Sequence, residues 1–188
     1  MRQSDNDMAE QIFAATERLM AEQGLHNLSM HKIAKAANIS AGTIYLYFKS
    51  KDVLLEQLAR RVLSLFSKEL EKGYDPTKAY FEQYRIMWWN IWYLLLDNPI
   101  TVKNMSQYLS LPYFVEVCAE AEEQSHWALF CKEANAAGVI CDLPVKVLFS
   151  LGLESAINLA SDRIYFNQEL TNDMLESVIE RTWRAIQK

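Results

Sequence analysis

The chain has 188 residues, 51% of them apolar and 12% aromatic, with only 5 glycines, 4 prolines and a formal charge of −5. So much core-forming material excludes a disordered or collagen-like chain, and so few turn formers argue against an all-β sandwich, which leaves a helical globular protein able to bury a sizeable core. No run of 18 or more apolar residues occurs. Asp5, Asp7, Glu10, Glu17 and Arg18 interrupt the first twenty residues, so neither a membrane span nor a secretory signal is expected, and the location expected is cytoplasmic. Cys118, Cys131 and Cys141 form an odd set without C-x-x-C spacing, which speaks against a disulfide framework and a thiolate zinc site.

The charge is unevenly spread. Residues 1–72 hold ten Lys and Arg against nine Asp and Glu, a balance of +1, whereas residues 73–188 hold nine against fifteen, a balance of −6. No acid occurs between Gln23 and Lys51, while Lys32, Lys35, Lys49 and Lys51 all fall in or at the end of that stretch. A locally basic face suffices for duplex DNA, because the favourable step is release of counterions from the phosphates it touches.

In chain order, Met8, Ile12, Ala15, Leu19 and Met20 form one helical stripe over residues 5–23, which Gly24 closes. Ser29 is a good N-cap for a short helix carrying Met30, Ile33, Ala34 and Ala37, and Asn38 tolerates the left-handed conformation that ends it. Ser40 then caps a third segment, 41–48. Two short helices so tightly joined make a helix-turn-helix. From Ser50 the pattern Val53, Leu54, Leu58, Val62, Leu65, Phe66 and Leu70 predicts a long helix to Gly73. Further helices are expected from about Thr77 to Leu96, over 100–109, from Pro112 to Ala137, from Pro144 to about Phe166, and from the Thr171 cap to Ile186. The expectation is all-α, with about nine helices and no strand.

Ile33, Ala34 and Ala37, followed by Ile39, Ser40, Gly42, Thr43, Ile44, Tyr45, Tyr47 and Phe48, and then Ser50, Lys51, Leu54 and Leu55, resemble the DNA-binding module of TetR/AcrR-family transcriptional regulators. The resemblance covers about fifty residues. It implies an N-terminal three-helix DNA-binding domain, residues 1–50, and a helical-bundle ligand-binding and dimerisation domain, residues 51–188. It also implies that the positions of Tyr45 and Tyr47 face DNA, that Ile44 and Phe48 pack inward, that Lys51 binds phosphate, and that Ser29 and Lys32 touch the other side of the groove. The residues support this independently. Gly42 permits close approach at a helix N-terminus, and Ser40 and Thr43 carry hydroxyls for phosphates or base edges. Where many members have Gly in the turn and Lys or Arg near the start of the recognition helix, this chain has Asn38 and Ala41; the Ala41 methyl suits a thymine methyl.

Seventeen of the 22 aromatics lie after residue 72. Tyr80, Tyr84, Trp88 and Trp92 form one stripe, and Phe81, Trp89 and Tyr93 a second, so this helix is apolar over a broad arc and belongs inside a bundle. Core packing accounts for much of this, yet Trp and Tyr carry polar edges that an ordinary core avoids. A pocket for a small hydrophobic, planar ligand is therefore expected at Tyr84, Trp88 and Trp92, with Trp127, Phe130 and Tyr108; the acid excess leans towards a lipophilic cation. Homodimerisation is expected through the last two long helices, at Gly152, Ala156 and Leu159 and at Leu175, Ile179 and Trp183. Glu122 and His126 are four apart, but no second pair completes a metal site, and neither a Gly-rich phosphate loop nor a G-x-S-x-G elbow is present. No enzyme, cofactor or metal is expected. The function implied is a ligand-responsive regulator, a repressor binding a palindromic DNA operator as a homodimer and released by its inducer. The alternative is a constitutive DNA-binding protein whose C-terminal half only dimerises.

Overall fold

The structure, a computed structural model, describes residues 2–111, 114–123 and 125–188, and the side chains of these apart from 2–6 and 121–123. Among the described residues there are eleven α-helices: α1 (Arg2–Gln23), α2 (Met30–Ala36), α3 (Ala41–Tyr47), α4 (Lys51–Glu71), α5 (Tyr80–Asp97), α6 (Pro99–Tyr108), α7 (Phe114–Glu123), α8 (His126–Ala136), α9 (Val145–Leu151), α10 (Glu154–Phe166) and α11 (Asn172–Ile186). The only extended pairing among them is an isolated antiparallel bridge between Ile140 and Gln187.

Eleven helices stand in place of about nine because two long helices expected from the sequence are each divided. Ser125 accepts a hydrogen bond from Ala128 N and so starts α8 afresh after α7; Pro112, expected to open that helix, lies outside the described residues. The other break is at Gly152. There the backbone leaves the helical path at φ −113° and ψ −93°, and the Tyr84 ring lies so close that a Cβ would meet its hydroxyl at 3.1 Å and its Cε2 at 3.2 Å. Ser155 stabilises the turn by donating to Gly152 O at 2.7 Å while accepting from Trp88 Nε1 at 2.8 Å.

The chain forms two compact units, residues 1–62 with 103–117 and residues 63–102 with 118–188. The start of α4 belongs to the first unit, and its Leu54, Leu55, Leu58, Ala59 and Val62 are all buried, as the hydrophobic stripe requires. In the first unit Ile12, Met20, Ile33, Ile44, Leu54 and Leu58 are fully buried, each contributing about 1.5–3 kcal/mol. Phe48 closes α3 edge-on to Phe13 of α1, ring centres 5.2 Å apart. Helix α1 also satisfies the open carbonyl end of α2, through Gln11 Nε2 to Ala37 O at 2.6 Å and Arg18 Nη2 to Ala36 O at 2.8 Å.

In the second unit α5 packs against α10 and α11, and α9 against α8, α10 and α11. The stripe expected to be innermost is buried at Tyr84, Trp88 and Trp92, whereas Tyr93 on the second stripe is 52% exposed. Glu176 of α11 ties that second stripe down, accepting from Arg85 Nε at 2.8 Å and Trp89 Nε1 at 2.9 Å; the guanidinium holds its carboxyl below the usual range.

At the start of α8, His126 is buried edge-on to Tyr74, ring centres 4.5 Å apart. Burial lowers its pKa from 6.5, against the pull of Glu71 and Glu133. The unfolded chain therefore takes up the proton first, and stability should fall as the pH drops below 6.5. Thermal melts between about pH 7 and about pH 5 should show a steeper loss for the native chain than for His126→Phe; equal slopes would mean that the imidazole is not held neutral.

Candidate nucleic-acid interface

Helices α2 and α3 are short because capping residues punctuate them. Ser29 accepts from Lys32 N at 3.3 Å, and Ser40 from Thr43 N at 3.0 Å. Asn38, at φ 55°, takes the left-handed turn for which the sequence lacks a glycine. Ile44 and Phe48, four apart, are buried, so the opposite side of α3 must face outward.

That outward side carries most of the residues singled out for DNA. Ala41, Gly42 and Tyr45 are exposed, with Tyr45 at 53%, and Thr43 and Tyr47 are half-buried at its margins. Nothing but Ser40 Oγ, at 3.7 Å, would meet a Cβ at Gly42, so the helix start is open to a close approach. The Ser40 and Thr43 hydroxyls bond each other at 2.8 Å, which uses one of their two protons and leaves the other for a phosphate. Ser29 and Lys32 are exposed at the start of α2, where Lys32 Nζ donates to Asn27 O at 2.9 Å. Lys35 and Lys49 are exposed and Lys51, the first residue of α4, is half-buried. A hollow of about 590 Å³ lies between α2 and α3, lined by His31, Lys35, Asn38, Ser40 and Ala41 among others.

One exposed residue escaped the sequence reading. Leu46 is 84% exposed, the most exposed large hydrophobic side chain among the described residues. The signal was present in the spacing, since Leu46 lies two positions from both inward residues, Ile44 and Phe48, and so points away from each by about 200°.

The residues expected to line a ligand pocket fall in both units. Tyr84, Trp88, Trp92, Trp127 and Phe130 belong to the second unit and are buried against one another: Trp88 stacks on Trp92 at 5.9 Å, Trp127 on Phe130 at 5.3 Å, and Tyr84 tilts over Trp127 at 6.3 Å. Their polar edges are used within the chain: Tyr84 Oη bonds Thr182 Oγ1 at 2.7 Å, and Trp127 Nε1 donates to Val145 O at 3.2 Å. Burial pushes the Tyr84 hydroxyl up to about 12, so it stays neutral. Tyr108 belongs to the first unit, where its hydroxyl donates to Glu17 Oε1 at 2.6 Å, beside Asn104 Nδ2 on Glu17 O at 2.8 Å and the Arg61 guanidinium at 3.4 Å. A buried carboxylate needs such donors, and that need fixes Tyr108 there.

Of the residues expected at the dimer interface, Gly152, Ala156, Leu175, Ile179 and Trp183 are buried within the chain itself, and Leu159 is partly open. On α10 and α11 there is a shallow apolar groove of about 510 Å³ lined by Leu159, Leu170, Met174, Leu175 and Val178 with Asp173 and Ser177. Glu122, the suggested partner of His126 for a metal, lies outside the described side chains, and no group of three or more His, Cys, Asp or Glu among the described residues could hold a metal ion. No helix among them is long and apolar enough to cross a membrane.

Comparison with known proteins agrees with this geometry over both halves. Residues 12–58 match the family described as bacterial regulatory proteins, tetR family, and residues 79–187 match the tetracyclin repressor-like C-terminal domain. An uncharacterized HTH-type transcriptional regulator of Haemophilus influenzae is 56% identical over 188 residues, covering 100% of both chains. A crystal structure of a TetR-family transcriptional regulator from the same species has a TM-score of 0.93 at 56% identity, covering 99% of this chain and 100% of that one. A putative TetR-family regulator from Vibrio parahaemolyticus has a TM-score of 0.81 at 34% identity, covering 95% and 98%.

Proposed function

The chain belongs to the TetR family of bacterial transcriptional regulators, which are DNA-binding proteins and not enzymes, and from that premise we propose that it is a repressor. It binds a palindromic operator as a homodimer and leaves it when a small hydrophobic ligand enters the second unit. The observation that carries the DNA-binding part is the α2–α3 face: Ile44 and Phe48 anchor it from within, while Ala41, Gly42, Tyr45 and the lysines stand outside. One such module contacts few phosphates, so two acting in successive major grooves, about 34–36 Å apart, give the affinity that one lacks.

Tyr47→Ala and Lys51→Ala should both weaken binding across sequences, and Lys51→Ala should reduce the salt slope by about one unit. Anisotropy titrations over a range of salt would measure this; unchanged affinity for both variants sinks the assignment of the face.

The homodimer uses the outer groove of α10 and α11, where Leu159, Met174 and Val178 leave apolar surface open, Met174 being 53% exposed. Met174→Glu combined with Val178→Glu should sediment as a monomer with its melting temperature little changed. A dimer that survives the pair moves the interface elsewhere.

Ligand entry is proposed at Tyr84, Trp88, Trp92, Trp127 and Phe130. None of the five side chains carries a charge, which favours an uncharged or long-chain apolar ligand over a cation. Because each polar edge cited there already has a partner within the chain, binding requires those rings to part, and the constitutive reading stands beside this one on the same observation. Tryptophan fluorescence titrated with lipophilic cations, fatty acyl compounds and neutral aromatics separates the two. Quenching accompanied by DNA release, both lost in Trp88→Leu, supports the ligand; no response to any class supports the constitutive protein.

A further inference from the structure

Leu46 lies outside the packed core of its own chain. It is 84% exposed, it follows Tyr45 on α3, and it lies one helical turn beyond Gly42. Helical side chains tilt towards the N-terminus, so Leu46 leans over the turn that carries Gly42, which presents no side chain of its own and has only Ser40 Oγ, at 3.7 Å, near where a Cβ would be. The exposed methyl of Ala41 lies at that same end of the helix.

What α3 lacks is equally specific. Its seven residues, Ala41–Tyr47, include no arginine, lysine, asparagine or glutamine, so α3 has none of the side chains that grip guanine or adenine in a bidentate way. Its outward polar groups are hydroxyls, which bond to phosphates or to many base edges. An exposed leucine can discriminate in one way only. In the major groove thymine alone presents a methyl group, whereas G·C pairs present polar edges that leucine would strip of water without replacing.

We propose that Leu46 is a specificity-determining residue that reads thymine methyl groups, and that each operator half-site carries an A·T pair with its thymine beneath it. This rests on the reading of α3 as the helix that enters the major groove.

The experiment begins with DNA selected by the full-length protein from a random pool. Each thymine of the selected site is then replaced by deoxyuridine, which removes the methyl group and alters nothing else in the pairing edge. At one or two thymines per half-site the native protein should lose about three- to fivefold in affinity per methyl removed, while Leu46→Ala should bind both DNAs alike. Leu46→Arg should shift the selected base there towards guanine. Deoxyuridine that is neutral everywhere for the native protein, or equally harmful to Leu46→Ala, overturns the proposal. If Tyr47→Ala and Lys51→Ala still weaken binding in that case, the α3 face stands and only the role of Leu46 falls. If those two variants also bind normally, the reading of α3 on which the proposal rests has failed with it.

Discussion

Phe48→Ala should lower stability by about 3–5 kcal/mol and abolish DNA binding, a large part of the roughly 5–15 kcal/mol that holds a typical domain folded. The ring is 1% exposed, ends α3 and meets Phe13 of α1 edge-on, so its removal leaves a cavity at the one place where α3 is pinned to α1 by aromatic contact. Ile44, the other inward residue of α3, would then have to hold a two-turn helix by itself, and helices that short do not persist without packing. Chemical denaturation gives the stability and anisotropy the DNA affinity. Tyr47→Ala is the control, because a half-buried side chain on the outward margin should lose affinity with little change in melting. A Phe48→Ala protein that melts like the native one would show that α3 is not anchored through this ring.

Gly152→Arg should act on folding and not on association. Leu148 O and Tyr84 Oη each lie 3.1 Å from where a Cβ would be, and Tyr84 is fully buried, so an arginine must displace the ring and break its bond to Thr182. Overpacking costs about 1–3 kcal/mol. A guanidinium driven into an aromatic core without a partner adds several kcal/mol, which brings the total to about 3 kcal/mol or more. The measurement is thermal unfolding followed by the near-ultraviolet signal of Trp88 and Trp183, with sedimentation alongside. A well-folded monomer with native melting would contradict the packing described at α9 and α10 and return Gly152 to the dimer interface.

The two kinds of expectation rest on different physics. Caps and turns are local: Ser29, Ser40 and Thr171 accept backbone N–H groups three residues on, and Asn38 adopts the left-handed turn, because the atoms involved are always within reach of one another. The helix-turn-helix could accordingly be read from residues 29–48 alone, whereas the inward direction of Ile44 and Phe48 came from the family resemblance. Directions shared between distant segments could not. The stripe Leu175, Ile179 and Trp183 has the same helical spacing whether it faces a partner subunit or its own α5, and only the folded chain, with Trp183 against Tyr84 at 5.3 Å, resolves which.

The all-helical class, the helix-turn-helix and its capping residues follow from the sequence, since each depends on neighbours a few positions apart. The tertiary structure set the rest: that Tyr108 serves Glu17, 91 residues away, that Gly152 yields to Tyr84, and that Leu159, Met174 and Val178 line an open apolar groove on α10 and α11. These choices turn on close contacts between segments far apart in the chain. Periodicity specifies that a helix has an apolar face, but which surface meets that face is set by packing volume and by the partners that buried polar groups require.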